Sequence, residues 1–238
     1  MPVATSLLSG VPLWSLREGL AVRDAGPAAP DPAVDVPADL RVCGPWIDTA
    51  GSSAPVVVDV LVPRPSPVLR EALRRMTLGP VALHNVRGLD EAYRHWQSGR
   101  GDCGPWRRVK EALDRLGGSV VPTLASAQGH GLLLSLLATA RGSAFDLVPT
   151  PPGQAVTTVA RAHLRPDARV PELVAPGATH RAVLHDPASL AVVETALDRG
   201  AGTVGELAAA ARVPGEVARD VVGYLRAGGL VTVVNSGP

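Results

Sequence analysis

The carboxy-terminal stretch that begins at residue 180 constrains the fold more than any other part of this 238-residue chain. Its first residues, HRAVLH, alternate between polar and apolar side chains, which is the period of a half-buried strand. Asp186 and Pro187 then predict a helix start, because a carboxylate accepts from free amides and a proline ring presets φ. A second helix is predicted to open at Thr203 and Glu206, which have the spacing of a capping box.

The third helix of this stretch is predicted to begin at Pro214 and to end at a glycine pair. One stripe of this helix is apolar and comprises Val217, Val221, Tyr224 and Leu225. Residues 230–234 are rich in β-branched side chains and predict a closing strand. A strand, three helices and a strand in this order predict a winged helix-turn-helix.

The earlier part of the chain predicts a second, looser example of the same element order. We expect strands within 11–23 and at 54–63, helices at 67–76, 89–96 and 106–116, and a hairpin of 119–124 with 132–138. The proline-rich run at 149–153 predicts a linker, followed by a strand meander of 156–164, 170–175 and 180–185. The predicted fold is therefore α+β, with two tandem winged helix-turn-helix modules at 1–148 and 154–238, each a small antiparallel sheet with three helices.

Composition and motifs give little support to catalysis. The two cysteines, Cys43 and Cys103, each begin a Cys-Gly-Pro-Trp segment, which predicts two turns that are each followed by a packing tryptophan. Residues 200–205 match the GxGxxG dinucleotide fingerprint, but helical periodicity precedes them where the fingerprint needs a strand. The histidines have no metal-site spacing, and no apolar run is long enough to span a membrane. We therefore expect a cytoplasmic protein without catalytic residues, cofactor or metal.

DNA binding is the main alternative, since winged helices are often DNA readers. The net charge of only +1 argues against it, because phosphate contacts need a basic surface. The predicted helix at 214–227 is balanced, whereas the helix at 106–116 carries Arg107, Arg108, Lys110 and Arg115 against Glu111 and Asp114. If the chain is a transcription regulator, we expect the first module to contact DNA.

Two segments carry a family resemblance. The first is LGGSVVPTLA at 116–125 with GLLLS at 131–135, and the second is VARAHLR at 159–165 with HRAVLHDP at 180–187. In this order they resemble the N-terminal, non-flavin half of the flavin-dependent dehydrogenases that oxidise azoline rings in thiazole/oxazole-modified peptides. That half is similar to the winged-helix modules that recognise precursor peptides in such pathways. The helix at 216–225 also resembles the last helix of the peptide chaperone of pyrroloquinoline quinone biosynthesis.

The resemblance implies a precursor (leader) peptide as ligand, bound by strand addition beside the last helix. The strand edge would be Arg181, Val183, Leu184 and His185, and the facing helix would offer Val217, Asp220, Val221, Tyr224 and Leu225. The sequence ends before a flavin domain and holds no Arg-Ser-Arg-type flavin-phosphate segment. We therefore expect a non-catalytic recognition and scaffold subunit that docks the leader on an FMN-dependent dehydrogenase or a cyclodehydratase, in a homo- or hetero-oligomer.

Overall fold

A computed structural model describes residues 8–25, 38–46, 56–101, 103–128, 131–147, 150, 153–165 and 168–234. These residues form an α+β fold with six α-helices and three antiparallel sheets, which confirms the predicted class. The strands of the first part are β1 (Val11–Leu16), β2 (Ala21–Ala25), β3 (Asp39–Trp46), β4 (Val56–Val62), β5 (Val120–Ala125) and β6 (Leu132–Ala138). Its helices are α1 (Pro67–Met76), α2 (Asp90–Gln97) and α3 (Gly104–Leu116).

The second part contributes the strands β7 (Ala155–Thr158), β8 (His163–Arg165), β9 (Glu172–Val174), β10 (His180–Leu184), β11 (Ala201–Thr203) and β12 (Val231–Val233). Its helices are α4 (Pro187–Arg199), α5 (Val204–Ala211) and α6 (Gly215–Ala227). None of the described helices combines the length and the apolar character that a membrane-crossing helix needs.

Local capping chemistry sets the helix starts where the sequence predicts them. The Ser66 hydroxyl accepts from an amide of the first turn of α1, and the Asp186 carboxylate does the same for α4, at 2.8 Å. Thr203 and Glu206 make both bonds of the capping box at the start of α5. The predicted caps at Asp186 and Thr203 and the helix predicted at 67–76 are confirmed, and each cap depends only on residues a few positions apart.

The central sheet has six strands in the order β1-β5-β6-β10-β9-β8. Three of its strands come from before the linker predicted at 149–153 and three from after it, and β6 pairs with β10 over five residue pairs. The expectation of a separate small sheet in each module is therefore not met for this sheet. The core is continuous as well, because Trp14 contacts the Phe145 ring, which in turn contacts Tyr224 on α6.

Two smaller sheets flank the central one, in the orders β11-β7-β12 and β2-β3-β4. The Cys-Gly-Pro-Trp segment at 43–46 lies inside β3 rather than in a predicted turn, because its backbone pairs with β4. Trp46 at its end is buried under the guanidinium of Arg17, 4.1 Å from the ring centre. The strand predicted at 156–164 is also interrupted, since Arg161 takes a left-handed φ of 61° between β7 and β8.

Candidate functional site

The strand edge predicted to receive a leader peptide lies inside the central sheet. Arg181, Val183 and Leu184 belong to β10, which pairs with β6 on one side and with β9 on the other. The amide of His185, just after β10, donates to the carbonyl oxygen of Leu133 on β6 at 2.9 Å. The prediction of a free edge at these four residues is therefore wrong, because β10 is an interior strand that lies between β6 and β9.

The helix face predicted to complete the peptide groove is also covered by the chain itself. On α6, Val221, Tyr224 and Leu225 are fully buried, and Val217 is half-buried. The Tyr224 hydroxyl donates to the carbonyl oxygen of Thr123 on β5 at 3.2 Å. This face packs on the central sheet, so these residues do not line an open groove.

Asp220, the remaining residue predicted on that face, binds the start of the described chain. Its carboxylate accepts from the amide of Ser9 at 3.0 Å and from the amide of Gly10 at 2.6 Å. Burial raises the pKa of the Asp220 carboxyl, and these two amide hydrogen bonds oppose that shift. Asp220 therefore joins the two ends of the described chain instead of contacting a peptide.

A polar row of side chains crosses one face of the central sheet. The Ser135 hydroxyl lies 2.9 Å from Nε2 of His185 and 2.8 Å from the hydroxyl of Thr123. Burial lowers the pKa of His185 and so favours its neutral form. The neighbouring carboxylate of Asp186 caps α4 rather than orienting the imidazole, so the geometry does not assemble a nucleophile, a base and an orienting acid.

Strand β8 is the last strand of the central sheet, at the end far from β1. Among the described residues, β8 pairs only with β9, through His163 with Val174 and Arg165 with Glu172. Side chains alternate between the two faces of a strand, so His163 and Arg165 share one face while Leu164 lies on the other. The paired residues that follow across the sheet on the face of Arg165 are Glu172 and then Val183.

Two cavities lie along this face. One has a volume of about 260 Å³ and is lined by Arg17, Ala138, Thr139, His163, Arg165, Val174, Ala175, Pro176, His180 and Arg181. The other has a volume of about 350 Å³ and is lined by Arg165, Ala168, Arg169, Val170, Glu172, Arg181 and Val183. Arg165 and Arg181 border both cavities and separate one from the other, and both cavities lie beside β8. We name this region the β8 cleft.

The two arginines that separate the cavities, Arg165 and Arg181, share one carboxylate partner. The Glu172 Oε2 atom accepts from Nη1 of Arg165 at 3.2 Å and from Nη1 of Arg181 at 3.3 Å. Arg17 is buried, with 8% of its surface exposed, and donates to the carbonyl oxygen of Ala138. Three guanidinium groups therefore border the smaller cavity, and no carboxylate is among those of its lining residues that the structure describes.

The features predicted for DNA binding are only partly exposed. Residues 220–225 of α6 are buried, so this helix presents its first turn, which carries Glu216 and Arg219 with opposite charges. The helix α3 exposes Arg107, Arg108 and Arg115, but its Lys110 is buried and pairs with Asp114 at 2.7 Å. A helix that reads the major groove needs an exposed face, which α6 lacks over most of its length.

Nucleotide and metal sites find little support in the geometry. The glycine-rich segment at 200–205 includes β11, which follows helix α4 and pairs antiparallel with β7, whereas the dinucleotide fold needs a parallel βαβ unit. No group of three or more His, Cys, Asp or Glu side chains comes together within the part of the chain that the structure describes. The four tryptophans are buried in the core and offer no exposed anchor for a partner.

Apart from Arg181 and Val183, which were predicted as peptide-binding residues on another strand edge, the residues of the β8 cleft were not predicted from the sequence, although a weak signal was present. The polar–apolar–polar order of His163, Leu164 and Arg165 is the strand period, and it indicates that two polar side chains share one face. Their proximity to Arg17 and Arg181 depends on strand pairing over long sequence distances.

No family model matches the sequence, and no curated protein matches it.

Proposed function

We propose that this chain is a non-catalytic recognition and scaffold protein that binds an extended peptide segment along β8. The leader of a ribosomally made, post-translationally modified peptide is the ligand class that we infer, in keeping with the family resemblance of residues 116–187. The observation that carries the proposal is that β8, an edge strand of the central sheet within the described part of the chain, lies directly beside the two cavities of the β8 cleft.

Strand addition suits this geometry physically. A guest segment paired with the three residues of β8 would gain backbone hydrogen bonds over about 10 Å, at about 3.3 Å per residue. Alternate guest side chains would point to the face that carries His163 and Arg165, where the cavities lie. Backbone pairing supplies affinity for many sequences, and the cavities supply selectivity.

We also propose that the second part of the chain has a winged-helix architecture. Its three helices α4, α5 and α6 are accompanied by the sheet β11-β7-β12, in which β7 precedes the helices in sequence yet lies between the other two strands. The helices α1, α2 and α3 with the hairpin β5–β6 would form the corresponding first module, joined to the second through the central sheet.

A scaffold needs a second surface for its enzyme partner. Strand β4 is an edge of its sheet within the described residues, and it exposes Val57 (67%) and Leu61 (48%). Exposed apolar side chains on an open strand edge favour pairing with another protein. We infer that a catalytic partner, such as an FMN-dependent dehydrogenase or a cyclodehydratase, docks there, while the peptide at β8 gains effective concentration near the active site.

The test is a selection of random peptides of about 12 residues against the immobilised full chain, followed by titration of the selected peptides in amide NMR. Peptide recognition predicts enrichment and shifts centred on residues 163–165 and 172–174. N-methylation of alternate peptide amides separates strand addition from side-chain binding. A peptide methylated at the amides that pair with β8 should lose most of its affinity, whereas a peptide methylated at the alternate amides should keep its affinity.

Four results would contradict the proposal. The absence of any enriched peptide would exclude peptide recognition, and equal effects of the two N-methylated sets would exclude strand addition. Shifts centred on residues 56–62 would move the peptide site to β4. Tight, salt-sensitive binding of duplex DNA in a parallel anisotropy assay would favour the transcription-regulator alternative.

A further inference from the structure

We propose that the smaller cavity of the β8 cleft binds a carboxylate on an aliphatic stem, so that a peptide bound at β8 is selected for an acidic side chain at one position. This inference rests on the proposed function, since it concerns the chemistry of the same guest peptide. It follows from the charges, the walls and the position of the cavity.

The charges around the cavity favour an anion. Among the residues that the structure describes, its lining contains the guanidinium groups of Arg17, Arg165 and Arg181 and no acidic side chain. Arg165 is the most accessible of the three arginines, with 42% of its side chain exposed. Its guanidinium has five N–H donors, and the ion pair with Glu172 uses Nη1, so donors remain for a second carboxylate.

The walls of the cavity favour an anion that is carried on methylene groups. The apolar part of the lining consists of Ala138, Val174, Ala175 and Pro176, and the hydroxyl of Thr139, which also lines the cavity, donates to the carbonyl oxygen of Ala178. These apolar surfaces would bury the stem of a glutamate side chain while its carboxylate meets Arg165. A free phosphate would gain nothing from such walls, so the lining distinguishes between two anions of similar charge.

The position of the cavity connects it to the strand edge. Arg165 is on β8 itself, and its side chain lies on the same face as that of His163, two residues earlier. A guest strand paired with β8 would place every second side chain over this face, within reach of directly opposite or diagonal neighbours. One guest position therefore faces the cavity, and the requirement for a carboxylate is confined to that position.

The experiment uses the full chain and the peptides selected on it. We expect selected peptides to share an acidic residue, and replacement of that Glu by Gln should weaken binding about tenfold. The Arg165→Gln variant should bind the original peptide about tenfold more weakly, and it should distinguish the two peptides by less than about twofold. Urea unfolding checks that this variant is folded.

Arg41→Gln is the matched control. Arg41 is also a half-exposed strand arginine with one carboxylate partner, Asp59, at 3.1 Å, but it lies on β3 away from the β8 cleft. This variant should keep the full preference for the acidic peptide. A second measurement follows the arginine Nε–H signals during titration with α-amidated N-acetylglutamate, α-amidated N-acetylglutamine or inorganic phosphate. Because the α-carboxyl group is blocked in both amino acids, only the N-acetylglutamate derivative carries a carboxylate, and only it should shift the Arg165 signal strongly.

The outcomes separate the two proposals. Peptides that bind along β8 without an acidic preference, or a Glu-to-Gln effect of equal size in wild type and Arg165→Gln, would overturn the carboxylate site and leave peptide recognition standing. A stronger response of Arg165 to phosphate than to N-acetylglutamate would also overturn it. If no peptide binds at β8, the proposed function itself fails.

Discussion

Acidification is expected to destabilise this protein through His180. This side chain is buried, with 1% of its surface exposed, and its Nδ1 lies 3.0 Å from the hydroxyl of Thr179. Burial lowers the pKa of His180 to about 4, because the imidazolium form would lose its hydration. The folded protein therefore holds this side chain neutral at pH values where the unfolded chain already binds a proton.

The size of the effect follows from the two pKa values. The histidine is neutral in both states above the ordinary pKa of 6.5, so its contribution to stability is complete there. As the pH falls from 6.5 towards about 4, the unfolded state gains a proton that the folded state does not. The free energy of unfolding then decreases by about 1.4 kcal/mol per pH unit, which gives a total of about 3 kcal/mol across this window.

Urea unfolding at a series of pH values measures this loss, with tryptophan fluorescence as the signal. The cluster of Trp14, Trp96 and Trp106 reports on the core, since the Trp14 ring centre lies 6.4 Å and 6.1 Å from the other two. The comparison is with His180→Gln, which lacks the titrating group. The difference between the two proteins removes the contributions of other groups, including His185 and Asp220, whose pKa values are also shifted.

The expected result is a wild-type stability that falls more steeply with decreasing pH than that of His180→Gln between about pH 6.5 and pH 4. The variant itself is less stable at neutral pH because it disturbs a packed site, but its pH slope should be smaller. Parallel slopes in the two proteins would refute the reasoning, since His180 would then have the same pKa in the folded and unfolded states.

Three further changes are expected to lower the free energy of unfolding. Asp220→Ala should cost about 2–4 kcal/mol in urea unfolding, because it leaves the buried amide of Gly10 and the amide of Ser9 without their acceptor, and Asp220→Asn, which keeps an acceptor, should lose less. Tyr224→Phe should cost about 1 kcal/mol and lower the Tm by roughly 2–4 °C in calorimetry, because one buried hydrogen bond of 3.2 Å is lost. Gly118→Ala should cost about 1–3 kcal/mol in a circular dichroism melt, because the added methyl group would lie 2.5 Å from a backbone carbonyl oxygen; an unchanged Tm would contradict this packing argument.

The parts of the fold that local chemistry decides could be predicted from the sequence. Ser66, Asp186 and Thr203 each mark the start of a helix, because a cap and its amide are two or three residues apart. The hairpin of β5 and β6 was likewise predicted from two apolar runs that a glycine-rich turn separates. In these places the residues that interact are neighbours in the chain.

Strand pairing over long distances could not be predicted in the same way. The apolar sequence of β6 is compatible with an edge strand or an interior strand, and it does not indicate that β6 pairs with β10. That one pairing closes the edge predicted for the leader peptide, and it brings α6 onto the central sheet. The error at residues 181–185 and at the face of α6 therefore has a single origin.

The β8 cleft shows the same limit for a functional site. Arg165 and Glu172 are close in sequence, and a cross-strand pair between them could have been expected from a meander. Arg17 and Arg181 are 164 residues apart in the sequence, and the two meet at one cavity only because β1 and β10 belong to the same sheet. Local sequence patterns do not show which residues far apart in the chain will lie at the same cavity.

The pairing of β6 with β10 also has a consequence for folding during synthesis. During synthesis, β6 leaves the ribosome with its second edge unsatisfied, and that edge stays exposed until residues 180–184 have emerged. The contact of Ser9 with Asp220 closes later still, over a separation of 211 residues. Nascent chains that stall in this interval expose an unpaired, leucine-rich strand, so we expect chaperone binding to be strongest there and to decline once β10 has emerged.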